Sequence, residues 1–222
     1  NSGAEAVETA IKASRRWAYR TKKVKPGKAE IIVADGNFHG RTTTIISFSS
    51  DENSKDDFGP HPPGFVSVKY GCSKSLKAAI NENTAAVLIE PIQGEGGIIV
   101  PPKNYLKEVR DICTKKNVLM LLDEIQSGLG RTGKLFAYQH SCGNCSCDIG
   151  CKPNQPQESK PDGLILGKAL GGGFMPVSCF LSSKEVMQWM NPGSHGSTFG
   201  GNPLAAALAK RSICLLYTSD AA

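Results

Sequence analysis

The chain reads as an α/β protein built on a mainly parallel sheet with helices on both faces. Three observations predict that fold class. Short apolar runs alternate with segments of helical period, the pattern of strand–helix–strand crossovers. The runs at 85–89 and 118–122 are apolar at every position, so both faces of the sheet are expected to be covered. Polar residues close these runs, with Glu90 and Asp123 at two ends and Lys168 just past a third. Open α/β sheets bind ligands at that edge.

The elements follow in order. Residues 4–20 are predicted as a helix, because Ala4, Val7, Ile11, Ser14 and Ala18 recur at helical spacing and Ser2-Gly3-Ala4-Glu5 has capping-box spacing. Residues 30–34 form a short strand. Residues 41–48 are assigned to a helix, although their threonines and isoleucines also favour strand. The Pro- and Gly-bearing stretch 58–64 is loop. A strand at 66–69 and a helix at 73–81 precede a buried strand at 85–90, which Pro91 stops. The helix at 104–116 gathers Tyr105, Leu106, Val109 and Ile112 on one face. Strands at 118–122, 164–166 and 177–181 follow, then helices at 184–190 and from 202 onward.

Composition narrows the class. With 222 residues, 40% hydrophobic and 21% charged, the chain has ordinary globular make-up and enough length for one large domain or two small ones. Its 24 Gly and 13 Pro are too scattered for a collagen-like or low-complexity chain. No apolar run reaches the roughly 20 residues that span a bilayer. The net charge is +6, and basic residues are densest between Arg15 and Lys28. With no aromatic-and-basic array behind it, that stretch reads as a solvated helix face and not a nucleic-acid footprint. The chain has no initiating Met and begins inside a structured motif, so it is read as part of a longer one.

Of the eight cysteines, Cys113 and Cys179 lie in apolar-patterned segments and read as core. Cys142, Cys145, Cys147 and Cys151 crowd an insert at about 141–160 that is rich in Cys, Pro, Gln and Ser. Four thiols suffice for a tetrahedral zinc site, but paired Cys-x2–4-Cys knuckles are missing. An exposed loop, redox-active or disulfide-forming thiols, and zinc all stay open. No metal is assigned to the chemical site.

Asp123 and Lys168 at neighbouring strand ends are a meaningful pair. A lysine partly desolvated in a pocket has a lowered pKa and can form a Schiff base. Pyridoxal phosphate (PLP) chemistry needs such a lysine, and an acid to keep the pyridine nitrogen protonated. It also needs an anion site, which Ser2-Gly3-Ala4 at a helix start offers through free N–H groups and the positive end of the dipole. Singly, each feature has a plainer reading: a surface lysine, a capped helix, or an Asp123-Glu124 metal pair, although no phosphate-binding Gly-x-x-x-x-Gly-Lys-Ser/Thr loop accompanies it.

Six stretches carry a resemblance: Asn-Ser-Gly-Ala-Glu-Ala from Asn1, Asn-Phe-His-Gly-Arg-Thr from Asn37, Glu-Pro-Ile-Gln-Gly-Glu from Glu90, Asp-Glu-Ile-Gln-Ser-Gly from Asp123, Leu-Gly-Lys-Ala-Leu-Gly-Gly-Gly from Leu166, and His-Gly-Ser-Thr-Phe-Gly-Gly-Asn-Pro-Leu from His195. In that order they resemble the class III (subgroup II) PLP-dependent aminotransferases of fold type I, across residues 1–210 apart from the insert. The resemblance implies that Lys168 carries the cofactor and moves its protons. It implies that Asp123 pairs with the pyridine nitrogen, Gln126 meets the phenolic oxygen, and Phe38 stacks on the ring. Gly3 and Ala4 would bind the phosphate, with Thr198 reaching it from the other subunit of a homodimer. Arg41 would hold a substrate carboxylate, and Glu95 would mask a second arginine until a 2-oxo acid arrives. The plainer readings are core for Phe38, a loop residue for Gln126, and surface charges for Arg41 and Glu95. His39 and His195 receive no catalytic role.

The resemblance further implies amino acid and 2-oxo acid substrates, a shared active site, no nucleic-acid or membrane partner, and the cytoplasm or mitochondrial matrix as compartment. Residues 1–211 are then part of a PLP-binding large domain. The family's N-terminal segment and C-terminal small domain are absent, and residues 212–222 break from the helix that should continue, so they are read as a non-native tail. A catalytically dead remnant with a zinc or redox insert is the alternative from another class.

Overall fold

The computed structural model describes residues 1–141 and 159–219. Cys142, Cys145, Cys147 and Cys151 lie outside the described residues, as does most of the insert. The elements are α1 (Gly3–Trp17), β1 (Glu30–Ala34), α2 (Thr43–Ile46), β2 (Phe65–Val68), α3 (Ser73–Ala79), β3 (Thr84–Ile89), α4 (Tyr105–Lys116), β4 (Leu119–Asp123), β5 (Gly163–Leu166), β6 (Cys179–Ser182), α5 (Lys184–Met187) and α6 (Pro203–Ser219). The strands form one sheet in the order β2-β1-β3-β4-β5-β6. Every pairing is parallel except β5 with β6. This is the fold class expected from the sequence.

The apolar runs are explained by the two sides of the sheet. Ile31, Val33, Ala86, Leu88, Leu119 and Leu121 pack on the α1 side. Ile32, Ala34, Val87, Ile89, Met120 and Leu122 pack against α3 and α4 on the other. Alternation of side chains along a strand thus sends every residue of these runs into one core or the other. By the same parity Asp123 points to the α1 side.

β1 lies between β2 and β3, so the chain runs outward from β1 to β2 and then returns past β1 to β3. That reversal leaves a crevice beyond the carboxyl ends of β1 and β3, where ligands bind in open α/β sheets.

Several boundaries differ from expectation. The predicted helix at 41–48 shortens to α2 (Thr43–Ile46), capped by the Thr42 hydroxyl at its start. The stretch 15–28 is not simply a solvated helix face. Arg15 donates to the Pro63 carbonyl at 2.9 Å and lies over the Phe65 ring, while Lys22 donates to the Thr84 carbonyl at 2.7 Å. Long basic stems can cover apolar surface while their heads find carbonyls. The helix expected to break near Ser212 instead runs to Ser219. Ile213 and Leu216 pack beside Leu129, Leu166 and Leu170, and that apolar contact carries the helix onward.

Gly163 opens β5 because a side chain there has no room. A Cβ would come within 2.6 Å of the Phe180 ring and 2.5 Å of Leu121 Cδ2. Gly163→Ala is therefore expected to cost about 1–3 kcal/mol through overpacking, and Phe180→Leu should recover part of it. Urea unfolding midpoints of the two single variants and the double would check this; additive losses would contradict the steric account.

Candidate active site

The first turn of α1 lies at the carboxyl edge of the sheet. Ser2 accepts from the Glu5 N–H at 3.4 Å, and the Glu5 carboxylate accepts from the Ser2 N–H at 2.7 Å. This is the reciprocal capping box predicted from spacing. The Ser2 N–H holds the Glu5 carboxyl below the ordinary carboxylate range. Two backbone approaches seat the helix start. A Cβ on Gly3 would meet Ile125 Cδ1 at 2.7 Å, and one on Gly40 would meet Ala4 Cβ at 2.8 Å. Gly40 also has φ 124°, which a side chain would resist.

Four loops complete a cavity of about 160 Å3 lined by Gly3, Ala4, Phe38, Asp123, Gln126 and Lys168. These are six of the residues singled out from the sequence, drawn from α1, the last residue of β4 and the loops after β1, β4 and β5. His39 and Glu90 line it too. Arg41 and Glu95 line an adjoining cavity of about 330 Å3 that shares Phe38, His39 and Gly40 with the first. Arg41 sits 5.8 Å from the centre of the Phe38 ring. Thr198 is exposed and is not among the residues lining either cavity.

Lys168 stands just beyond β5, at the head of a short 3-10 turn, with φ 43°. A left-handed backbone at a non-glycine residue is uncommon and concentrates at functional sites. The side chain is exposed, so the described residues do not supply the desolvation anticipated for it.

Asp123 is buried and carries two hydrogen bonds. Oδ1 accepts from the Ile125 N–H at 3.0 Å, and Oδ2 lies 2.7 Å from His39 Nδ1. A carboxylate can only accept, so His39 carries its proton on Nδ1. His39 Nε2 is buried with no hydrogen-bond partner among the described residues. Sequence reasoning missed this pair. The Phe-His-Gly-Arg run directly beyond a buried strand was the available signal.

The neighbouring acids have different tasks. Glu124 accepts from Ser127 Oγ and the Ala137 and Tyr138 N–H groups at 2.7–3.0 Å, binding its own loop. Burial raises its carboxyl, against the pull of those three donors. Glu90 accepts from the Phe38 N–H at 3.1 Å and so ties the end of β3 to the loop after β1. A larger cavity, about 750 Å3, opens at the opposite sheet edge. Its polar groups satisfy one another, Arg110 with Asp162 at 2.7 Å and Trp17 with Glu185 at 3.1 Å. The smaller cavity, with its convergent lysine and acids, is the candidate chemical site.

The sequence model described as Aminotransferase class-III matches residues 1–221. The chain belongs to the class III aminotransferases. It is 53% identical over 220 residues to ornithine aminotransferase 2 of Staphylococcus saprophyticus, covering 99% of this chain and 52% of that protein. A solved ornithine aminotransferase of Toxoplasma gondii, described with partial occupancy of PLP at its active site, superposes with a TM-score of 0.90 at 42% identity, over 99% of this chain and 49% of that one. The acetylornithine aminotransferase of Elizabethkingia anophelis gives 0.79 at 45% identity, over 99% and 50%. The chain thus spans about half the length of the class III aminotransferases it matches.

Burial raises the Glu90 carboxyl above its ordinary 4.5, against the opposing pull of His39 and the Phe38 N–H. The unfolded chain then ionises at lower pH than the folded one. The contribution of Glu90 is fully present below 4.5 and is lost as pH rises through its folded value. Glu90→Gln removes that loss, so its urea midpoint should improve relative to the parent as pH climbs across the window. An offset that stays constant with pH would show that Glu90 ionises at its ordinary value.

Proposed function

We propose that the chain is the cofactor-binding part of a PLP-dependent ornithine aminotransferase. The net reaction moves the terminal amine of L-ornithine to a 2-oxo acid, giving glutamate 5-semialdehyde and glutamate. The observation that carries this reading is the convergence of Lys168, Asp123, Phe38 and the first turn of α1 on one cavity, in a chain 53% identical to an ornithine aminotransferase.

The residues fit PLP. Gly3 and Ala4 offer backbone N–H groups at a helix start whose approach a Cβ on Gly3 would obstruct, and helix N-termini favour phosphate. Asp123 offers a buried anion, fixed by His39 and the Ile125 N–H, to a protonated ring nitrogen. Phe38 offers a flat apolar wall, and Gln126 an amide beside Gly94, where a Cβ would collide with it. When bound, PLP would supply an electron sink at the reacting carbon. Lys168 Nζ would hold the cofactor and, once released from it, would carry the proton of the transfer. Arg41 holds the substrate carboxylate in bidentate fashion, which a lysine cannot copy. Glu95, lining the same cavity, balances a second arginine from the rest of the protein until a 2-oxo acid displaces it.

The protein works as a homodimer in this reading. Phe174, Phe199 and Leu204 are 85%, 69% and 61% exposed, large apolar side chains that a subunit contact would cover. Thr198, beside Phe199, then reaches the phosphate of the neighbouring site. A second reading, acetylornithine aminotransferase, is favoured by the 45% identity to that enzyme of Elizabethkingia anophelis; comparing ornithine with its acetylated form as amino donor separates the two.

Two outcomes test the proposal in the full-length protein. Lys168→Ala should abolish both turnover and the covalent attachment of PLP that borohydride fixes and peptide mass spectrometry locates. Cofactor fixed elsewhere, or retained turnover, would refute the assignment. Arg41→Lys should weaken ornithine by about 1.5–3 kcal/mol, the worth of a charged hydrogen-bonded contact, in single-turnover measurements. Unchanged ornithine affinity would remove Arg41 from the substrate site.

A further inference from the structure

The loop at 191–202 is tied to α1 by a chain of hydrogen bonds whose direction can be deduced. Glu5, Thr9 and Lys12 recur at helical spacing and form one stripe along α1. His195 Nε2 lies 3.0 Å from Thr9 Oγ1, and His195 Nδ1 lies 2.9 Å from Lys12 Nζ. Thr9 Oγ1 donates its proton to the Glu5 carbonyl at 2.7 Å, so toward His195 it accepts. Lys12 Nζ can only donate. His195 is therefore neutral, with its proton on Nε2, and the order runs Lys12 to His195 to Thr9 to the Glu5 carbonyl. Ser197, two residues on, donates to the Glu5 carboxylate at 3.2 Å and accepts from the Gly200 N–H at 3.1 Å.

Thr198 is the next residue, exposed beyond this tie. The helix that holds the loop is the one whose first turn lines the cavity of its own subunit. We propose that His195 is a positioning residue for the cofactor site of the neighbouring subunit: by latching the loop to α1 it presents Thr198 to that site. The inference rests on the dimer reading above, in which Thr198 crosses to the neighbour. Thr9 and Lys12 are its other members, and neither lines the cavity that holds Lys168. The latch links one subunit's α1 to the other subunit's phosphate.

Hybrid dimers test it. Full-length subunits carrying different tags are co-purified, one of them bearing Lys168→Ala, so that each hybrid holds a single lysine site. The readout is the PLP concentration needed to half-fill that site, measured as cofactor fixed to Lys168 by borohydride. With His195→Phe on the Lys168→Ala subunit, the altered loop faces the intact lysine site, and affinity for PLP should fall roughly tenfold, as loss of a charge-assisted bond implies. With His195→Phe on the lysine-bearing subunit, affinity should stay within about twofold of the parent, a shift below 0.5 kcal/mol. His195→Gln keeps an N–H toward Thr9 and a carbonyl toward Lys12, and should restore most of the loss. Lys12→Met in the first arrangement should reproduce the loss without altering the loop, which keeps the test valid if His195→Phe fails to fold. Equal weakening in both arrangements would show that His195 serves only its own subunit's fold and would overturn the proposal, as would no weakening in either. Failure to recover any hybrid, with the parent sedimenting as a monomer, would instead bring down the dimer reading itself.

Discussion

The site depends on one close approach. The first turn of α1 meets the loops after β4 and β5 across a single side chain, Ile125. A Cβ on Gly3 would lie 2.7 Å from it, and one on Gly167 would lie 3.2 Å from it and 3.6 Å from the Gly3 Cα. Two glycines let two backbones close around one isoleucine. Their consequence is chemical: the N–H groups of a helix start, a buried carboxylate and a lysine come to line one cavity. Larger residues at either glycine would force the helix away from the strand ends, and the phosphate subsite would part from Lys168 while the sheet stayed intact.

The sheet supplies the rigidity that this approach needs. Its central strands are buried on both faces, so their carboxyl ends are held by packing that the ligand does not have to organise. Glu90 then joins the β3 end to the Phe38 loop, and Glu124 binds its own loop through three donors. Rigid scaffold beneath and short loops above is the arrangement that keeps site residues in place.

Much of this was legible in the sequence, for a definite reason. Strands buried on both faces must be apolar throughout, so their positions and the polar residues closing them are visible as runs. Asp123 and Lys168 stood out because they follow such runs. Six residues picked from the sequence share a cavity, and Arg41 and Glu95 share the one beside it. What was not legible depends on contacts between distant segments. The His39–Asp123 bond joins residues 84 apart; the run around His39 marks a site residue, but nothing in the local pattern names Asp123 as its partner. The antiparallel placement of β6 and the exposure of Lys168 are likewise tertiary facts. The helix at the end of the chain was expected to break near Ser212 but runs to Ser219, because Ile213 and Leu216 find partners only in the folded molecule.

Three acids crowd one sheet edge, and their donors decide what each can do. Glu124 has spent its capacity on backbone and serine donors and does not line the cavity. Glu90 lines it, but its carboxylate is engaged with the Phe38 N–H, and burial favours its neutral form. Asp123 has both oxygens bonded, to a backbone N–H and to an imidazole that is itself buried. An imidazole partner differs in kind from a backbone N–H, because it can carry positive charge and so stabilise the anion beside it. Burying three acids opposes folding, since each loses hydration. Replacing two of them by neutral polar groups would ease that cost without removing the charged partner that a protonated ring nitrogen needs. Asp123 is the one acid here whose charge the proposed chemistry cannot spare, and it is the one that carries the histidine.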